Sequence, residues 1–345
     1  MGGAPLTCRP CRRIGIIKAV MPATHTVIVA LAAAERARPE LARIPGITVV
    51  ERYELSSARE DEVLARGLDE AWAVIAGSEP YTRGVLEALP DLKAILRWGT
   101  GSDAIDVAAA TDAGVAVLTT PAVNAEAVAD MALALMLACI RRLSELDAIV
   151  RSGEWRRLGP TRDLAGATVG VVGLGAIGRA VTRRLRGFGC HVLALEPNPD
   201  LEFCQKYGVH LVDLDAMLPQ IDVLTLHVPL TESTRGLLGA RELALLPHHA
   251  VLVNTARGEL IDQPALSAAL ADGRIAAAGL DVFEHEPPSP ADPILSLPNT
   301  VLSGHISSYT ELGLDRTAEM VIANLRELLA GRLPGSCLNP EAWDR

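Results

Sequence analysis

The chain is poor in aromatic residues, at 3% of its 345 positions. Ala, Val, Leu and Ile must therefore fill any core it builds. It has no apolar run of bilayer length. The longest, residues 131–140, is about half of what a hydrocarbon core requires. An excess of positive charge is also missing. The formal net charge is −10, which disfavours nucleic acid and anionic membrane as partners. It leaves an anionic substrate open, because a few arginines can reverse the field inside a cleft. Paired cysteine motifs are absent as well. Cys8 and Cys11 form a lone CxxC with no second pair and no nearby histidine, so no metal site is expected. Cys139 and Cys190 fall in apolar patterns and read as core thiols, which is cytoplasmic usage. Residues 1–20 are basic, lack a signal-like apolar stretch and read as a loose extension ahead of the folded chain.

What is present is a hydrophobic pattern with two series of strands. Residues 26–31 (TVIVAL), 47–51, 71–76, 92–96 and 115–118 read as buried strands separated by helical stretches. That alternation specifies a parallel sheet with helical crossovers. Residues 124–143 read as one long helix bridging to a second series. Seven further strand candidates then follow, from TVGVVG at 168–173 to TVLSGH at 300–305. The fold class is α/β, with two doubly wound parallel-sheet domains. One is a flavodoxin-like substrate domain (21–120 plus 308–345). The other is a Rossmann NAD-binding domain (121–307).

Gly173, Gly175 and Gly178 make a GxGxxG that follows a strand and opens a helix with Ala176 and Ile177. Glycines there allow a tight turn and a close approach to pyrophosphate, whose charge meets the helix N-terminus. The next strand ends in Glu196, a carboxylate able to accept from both ribose hydroxyls and to repel a 2′-phosphate. The expected cofactor is NAD.

Three short stretches end later strands of that domain: 254–258 (NTARG), 281–287 (DVFEHEP) and 303–305 (SGH). Carboxyl ends of strands face the ligand crevice in open α/β sheets. Together with RWGTGSDAID at 97–106, VGLGAIG at 172–178 and HVPLTEST at 227–234, they resemble the D-isomer-specific 2-hydroxyacid dehydrogenase family over residues 45–335. The form is phosphoglycerate dehydrogenase-like without a regulatory domain. The resemblance implies interconversion of a small D-2-hydroxy acid and its 2-oxo acid. Arg257 would bind the carboxylate and polarise the carbonyl. His305 would be the acid and base, and Glu286 would orient and charge its ring. Cofactor contacts are expected at His227, Val228, Pro229 and Thr234, and at Thr255, Ala256, Asp281 and His305. Asp281 would accept from the nicotinamide amide. Substrate contacts are expected at Gly77, Ser78, Thr100 and Gly101 besides Arg257, with backbone N–H groups meeting the carboxylate. Asn124, Asp130, Arg97 and Tyr309 are further candidates near the cleft. The resemblance also implies a homodimer joined through the nucleotide domain and residues 124–162.

Against His305 stand His285, between two carboxylates in a loop, and His248 and His249, read as surface. Against Glu286 stands Glu284. Phosphoglycerate is the first substrate considered, yet residues 76–79 (AGSE) lack the Arg–Ser pair that several such enzymes use for the phosphate. A tailoring dehydrogenase for an unusual oxo acid, such as a phosphonate, is a second reading. A non-enzymatic NAD sensor of the corepressor type is a third.

Overall fold

The computed structural model describes residues 24–343. Cys8, Cys11 and the supposed extension at 1–20 lie outside the described residues. Two parallel sheets organise the rest. The first has β1 (His25–Val29), β2 (Ile47–Glu51), β3 (Ala73–Ala76), β4 (Ala94–Arg97) and β5 (Ala116–Leu118) in the order β2-β1-β3-β4-β5. The second has β6 (Thr168–Val172), β7 (His191–Leu195), β8 (Val209–Leu211), β9 (Val223–Leu226), β10 (Val251–Asn254), β11 (Ala277–Leu280) and β12 (Thr300–Leu302). Its order is β12-β11-β10-β9-β6-β7-β8. The first is the flavodoxin order and the second the dinucleotide-binding order, each reversing direction beside its first strand.

The central strands β3, β9, β10 and β11 are buried at every position. This is why they read as continuous apolar runs rather than alternating ones. Each sheet is covered on both faces, and aliphatic side chains make up nearly all of the four core clusters. The helix Glu311–Leu329 returns to the first sheet, where Val321, Ile322, Leu325 and Leu328 join β1, β3, β4 and β5.

The expected bridging helix differs from the observed one. It runs only over Ala125–Ile140 and packs on β10 and β11. Arg142 then takes a left-handed backbone (φ 51) and starts a separate helix, Leu143–Arg151. Its guanidinium holds Glu145 at 2.6 Å, which secures the new first turn. Apolar periodicity carries straight through this break, so the pattern hid it. The other non-glycine residues with left-handed backbones are Ala122 (φ 64) and His305 (φ 54), among the described residues.

Candidate active site

The glycine-rich turn joins β6 to the helix Ala176–Gly187. A Cβ on Gly178 would lie 1.9 Å from the Gly173 carbonyl oxygen, so this helix and turn can meet only through glycine. A Cβ on Gly175, by contrast, would meet nothing within 4 Å. The turn is thus closed on its protein side and open at the helix N-terminus, the shape a pyrophosphate requires. Ala176 and Ile177 form the first turn of that helix, and Ile177 packs on the core. Glu196 reaches back from the end of β7. Its Oε2 accepts from the Leu174 N–H at 2.8 Å and its Oε1 from the Asn198 N–H at 3.0 Å. The carboxylate therefore borders the glycine turn and is no stray surface charge.

His227 follows β9. Its Nε2 lies 2.9 Å from the Thr225 hydroxyl, while Nδ1 is enclosed and has no partner among the described residues. Burial lowers the imidazole to about 3, so the ring is neutral. Val228 packs against the glycine turn, and the Pro229 carbonyl accepts from the Thr234 hydroxyl at 2.7 Å, closing the 229–234 turn. The buried Thr255 hydroxyl also lacks a partner among the described residues. These two unpaired polar atoms stand at neighbouring strand ends, and dinucleotide donors and acceptors suit them.

Beside this crevice the trio converges. His305 Nδ1 lies 2.6 Å from Glu286 Oε2. Glu286 Oε1 accepts from the Phe283 N–H at 3.1 Å, which turns the carboxylate toward the ring. Arg257 projects from the loop after β10, whose Asn254 side chain donates to the Arg257 carbonyl at 2.7 Å and accepts from the Ala256 N–H at 3.0 Å. A Cβ on Gly258 would fall 1.9 Å from the Phe283 carbonyl carbon, so glycine lets the arginine loop and the glutamate loop touch.

The guanidinium of Arg257 is itself held from the first sheet. Its Nε is 3.0 Å from both Asp103 carboxylate oxygens, and its Nη2 is 2.9 Å from Oδ1. Nη1 donates to the Ala256 carbonyl at 2.7 Å. One N–H on each terminal nitrogen remains free, a pair suited to a carboxylate or a carboxylate and ketone together. Burial works to raise the Asp103 carboxyl, but the hydrogen bond and charge of Arg257 outweigh it and hold it below its ordinary value. A Cβ on Gly101 would sit 1.7 Å from Arg257 Nη2, so any larger residue there would force the guanidinium out of its present place.

A cleft of about 190 Å³ lies between the two walls, lined among others by Ser78, Arg97, Gly101, Arg257, Glu286 and His305. Several expected contacts are placed differently. The Gly77 N–H is taken by Glu79 Oε1 at 2.9 Å and does not face the cleft. The Thr100 hydroxyl donates to the Thr120 carbonyl at 3.1 Å, with the Asn124 side chain at 3.4 Å, while its backbone N–H is the group expected at the carboxylate. Asp130 pairs with Arg184 at 2.7 Å on the helix surface. Tyr309 is 61% exposed and lines no part of the cleft. Asp281 is wholly buried, and its two oxygens take the Ser303 hydroxyl, the Ile306 N–H and both donors of Ser307. Four donors fill a carboxylate. In this structure Asp281 anchors the turn that carries His305 rather than presenting a free oxygen to nicotinamide.

Of the rivals, His285 is exposed, while His249 pairs with Asp222 at 3.0 Å beside Arg162, at the opposite end of the sheet. Sequence reasoning missed that cluster, as it missed Asp103 and Arg59 in the cleft. No group of three or more His, Cys, Asp or Glu able to hold a metal occurs among the described residues. No helix there is long and apolar enough to cross a membrane.

Two α/β units with a dinucleotide turn and a charged cleft between them define a nicotinamide-dependent dehydrogenase. Comparison with known proteins sharpens this. Residues 133–307 match the NAD-binding domain model of the D-isomer-specific 2-hydroxyacid dehydrogenases. The chain is 42% identical over 271 residues to a glyoxylate reductase of Korarchaeum cryptofilum, covering 76% of this chain and 81% of that one. It is 38% identical over 282 residues to a D-3-phosphoglycerate dehydrogenase of Methanocaldococcus jannaschii, covering 81% of this chain and 54% of that longer one. The structure of D-lactate dehydrogenase from Aquifex aeolicus with NAD and lactic acid superposes with a TM-score of 0.82 at 25% identity, over 91% of this chain and 99% of that one. This chain belongs to the D-isomer-specific 2-hydroxyacid dehydrogenase family. It is an NAD-dependent enzyme of 2-hydroxy and 2-oxo acids.

Proposed function

We propose that the enzyme reduces a small 2-oxo acid to its D-2-hydroxy acid, with Arg257, Glu286 and His305 as catalytic residues. The observation that carries this reading is the 2.6 Å His305–Glu286 pair opening on the same cleft as Arg257. NADH, which the 173–178 turn would hold, would supply the hydride for C2. The two free N–H groups of Arg257 hold the acid's carboxylate and draw charge from its ketone. Glu286 accepts from Nδ1, which fixes the ring so that Nε2 faces the cleft and delivers a proton to the new alkoxide. In oxidation the same nitrogen takes it back. Positioned acid–base help of this kind is worth about 10²–10⁴-fold in rate. Ser78 and Gly101 complete the substrate wall, and His227, Thr255 and the 173–178 turn hold the dinucleotide. We divide the chain into a substrate unit (21–120 plus 308–345) and a nucleotide unit (121–307).

The names of the relatives favour glyoxylate and 3-phosphoglycerate as starting points. The test is NADH oxidation with a panel of 2-oxo acids. Turnover of at least one, lost about 10³-fold in His305→Gln with NADH affinity kept, supports the reading. Tight NADH binding without turnover of any acid overturns it and leaves a sensor.

We further propose a homodimer in the cytoplasm. Leu143, Val150 and Trp155, all on the segment after the bridging helix, are each exposed, Trp155 at 93%. A second copy docking through the same segment would bury these apolar side chains. Wild type eluting as a dimer and Trp155→Glu as a monomer in light scattering fits; a wild-type monomer refutes it. The unpaired Cys139, Cys190, Cys204 and Cys337 suit a reducing compartment.

A further inference from the structure

The chain between β3 and the helix Arg83–Glu87 brings Ser78 to the cleft and turns the next residue, Glu79, inward. Glu79 is fully buried, where a charged side chain rarely goes. Its Oε1 accepts from the Gly77 N–H and from the Tyr81 hydroxyl, each at 2.9 Å. Its Oε2 is enclosed without a partner, and no cation lies within 4.0 Å of it, among the described residues. Burial pushes the carboxyl above its ordinary value, against the hydrogen bonds that it accepts. An apolar side chain of that size would be easier to bury. Glu79 therefore makes sense through what it holds.

On one side it holds the loop that carries Ser78. A Cβ on Gly77 would lie 2.7 Å from Glu79 Oε2, so the carboxylate packs on a bare Cα immediately before the serine. On the other side it holds Tyr81, which is itself fully buried. The Tyr81 N–H donates to the Ala104 carbonyl at 2.8 Å, and the Tyr81 carbonyl accepts from the Asp106 N–H at 2.9 Å. Between these two bonds and the Ser102 carbonyl, which takes the Ile105 N–H at 2.9 Å, lies the turn that presents Asp103. Asp103 then grips Arg257 at 2.9–3.0 Å. One carboxylate thus joins the loop of Ser78 to the turn of Asp103, and both residues line the cleft.

We propose that Glu79 is a positioning residue for the reaction: through Gly77 it sets Ser78, and through Tyr81 it sets the Asp103 turn and with it the guanidinium of Arg257. The proposal rests on the dehydrogenase reading above and adds to it a residue that touches no substrate. Both bonds need only an acceptor oxygen in the place of Oε1. A glutamine supplies one, with its amide nitrogen in the place of Oε2. Glu79 acts by accepting, not by its charge.

The experiment uses the full chain with NADH, with glyoxylate and hydroxypyruvate as probes and NADH fluorescence for cofactor affinity. Glu79→Ala should lower kcat/KM by about tenfold or more, the scale of two lost hydrogen bonds. The loss should fall on kcat as well as KM, with NADH affinity unchanged. Glu79→Gln should stay within about threefold of wild type, because both bonds survive. Tyr81→Phe keeps the ring in the core and removes one bond, so it should lose about threefold. Glu79→Ala combined with Asp103→Asn should lose less than the product of the two separate losses, since both act on one guanidinium.

Wild-type kinetics in Glu79→Ala, whatever its melting temperature, overturn the proposal and leave Glu79 a packing residue. A Glu79→Gln as poor as Glu79→Ala overturns the acceptor role. Losses that multiply in full overturn the link to Arg257. Should Glu79→Ala fail to fold, Tyr81→Phe decides, and unchanged kinetics there overturn the proposal. In each of these cases the wild type still reduces an oxo acid and the dehydrogenase reading stands. Absence of wild-type turnover on a whole panel of 2-oxo acids sinks both.

Discussion

Asp103 is the residue through which the first sheet reaches the chemistry. It touches Arg257 through three contacts of 2.9–3.0 Å, and so selects which N–H groups the arginine offers. Replacing it with Asn keeps an acceptor but removes the charge. Hydrogen bonds between charged groups are worth about 1.5–3 kcal/mol net. Asp103 is 34% exposed and Arg257 22%, so solvent screening pulls the value down. About 2 kcal/mol is left, which at 1.36 kcal/mol per decade is about thirtyfold in kcat/KM. The loss should fall on kcat as well as KM, because a swinging guanidinium fails to meet the charge that develops on the ketone oxygen. Steady-state NADH oxidation measures it, with NADH fluorescence as the check that the cofactor site is intact. One result would refute the reasoning. If Asp103→Asn lowers KM and leaves kcat unchanged, the aspartate competes with substrate for Arg257 and does not position it.

Gly101→Ala puts a methyl 1.7 Å from Arg257 Nη2, so activity should drop at least 10²-fold while NADH binding is kept; unchanged turnover would show that the arginine can move aside. Glu196→Ala should raise the NADPH-to-NADH ratio of kcat/KM at least tenfold, and an unmoved ratio would remove Glu196 from the ribose site. His227 is neutral in the fold at about 3 against an ordinary 6.5. The unfolded chain therefore binds the extra proton first as pH falls, and stability is lost between about 6.5 and 3. His227→Gln should flatten urea midpoints across that window, and an unaltered slope would count against burial of the ring.

Both sheets, the dinucleotide turn and the trio were legible because each is written locally. Buried parallel strands show as apolar runs, and Gly178 must be glycine wherever a helix starts that close to a strand end. Arg257, Glu286 and His305 stood out through their positions after strands. Asp103 did not, because its partner lies 154 residues away and nothing local marks an aspartate as facing an arginine. Arg59 was invisible because only the fold brings it to the cleft. The break at Arg142 escaped because helical periodicity registers apolar faces and not a single left-handed residue. The contact expected of Gly77 failed on a competing acceptor, Glu79, whose burial a sequence pattern cannot display.

The chain passes between its two sheets twice, once after β5 and once after β12. Each crossing contains one of the non-glycine left-handed residues, Ala122 in the first and His305 in the second. Such a backbone costs about 1–2 kcal/mol and persists only where the surroundings hold it. Any relative rotation of the two walls has to turn about these two points. His305, the proposed acid–base residue, therefore lies at one of the two covalent crossings between the walls.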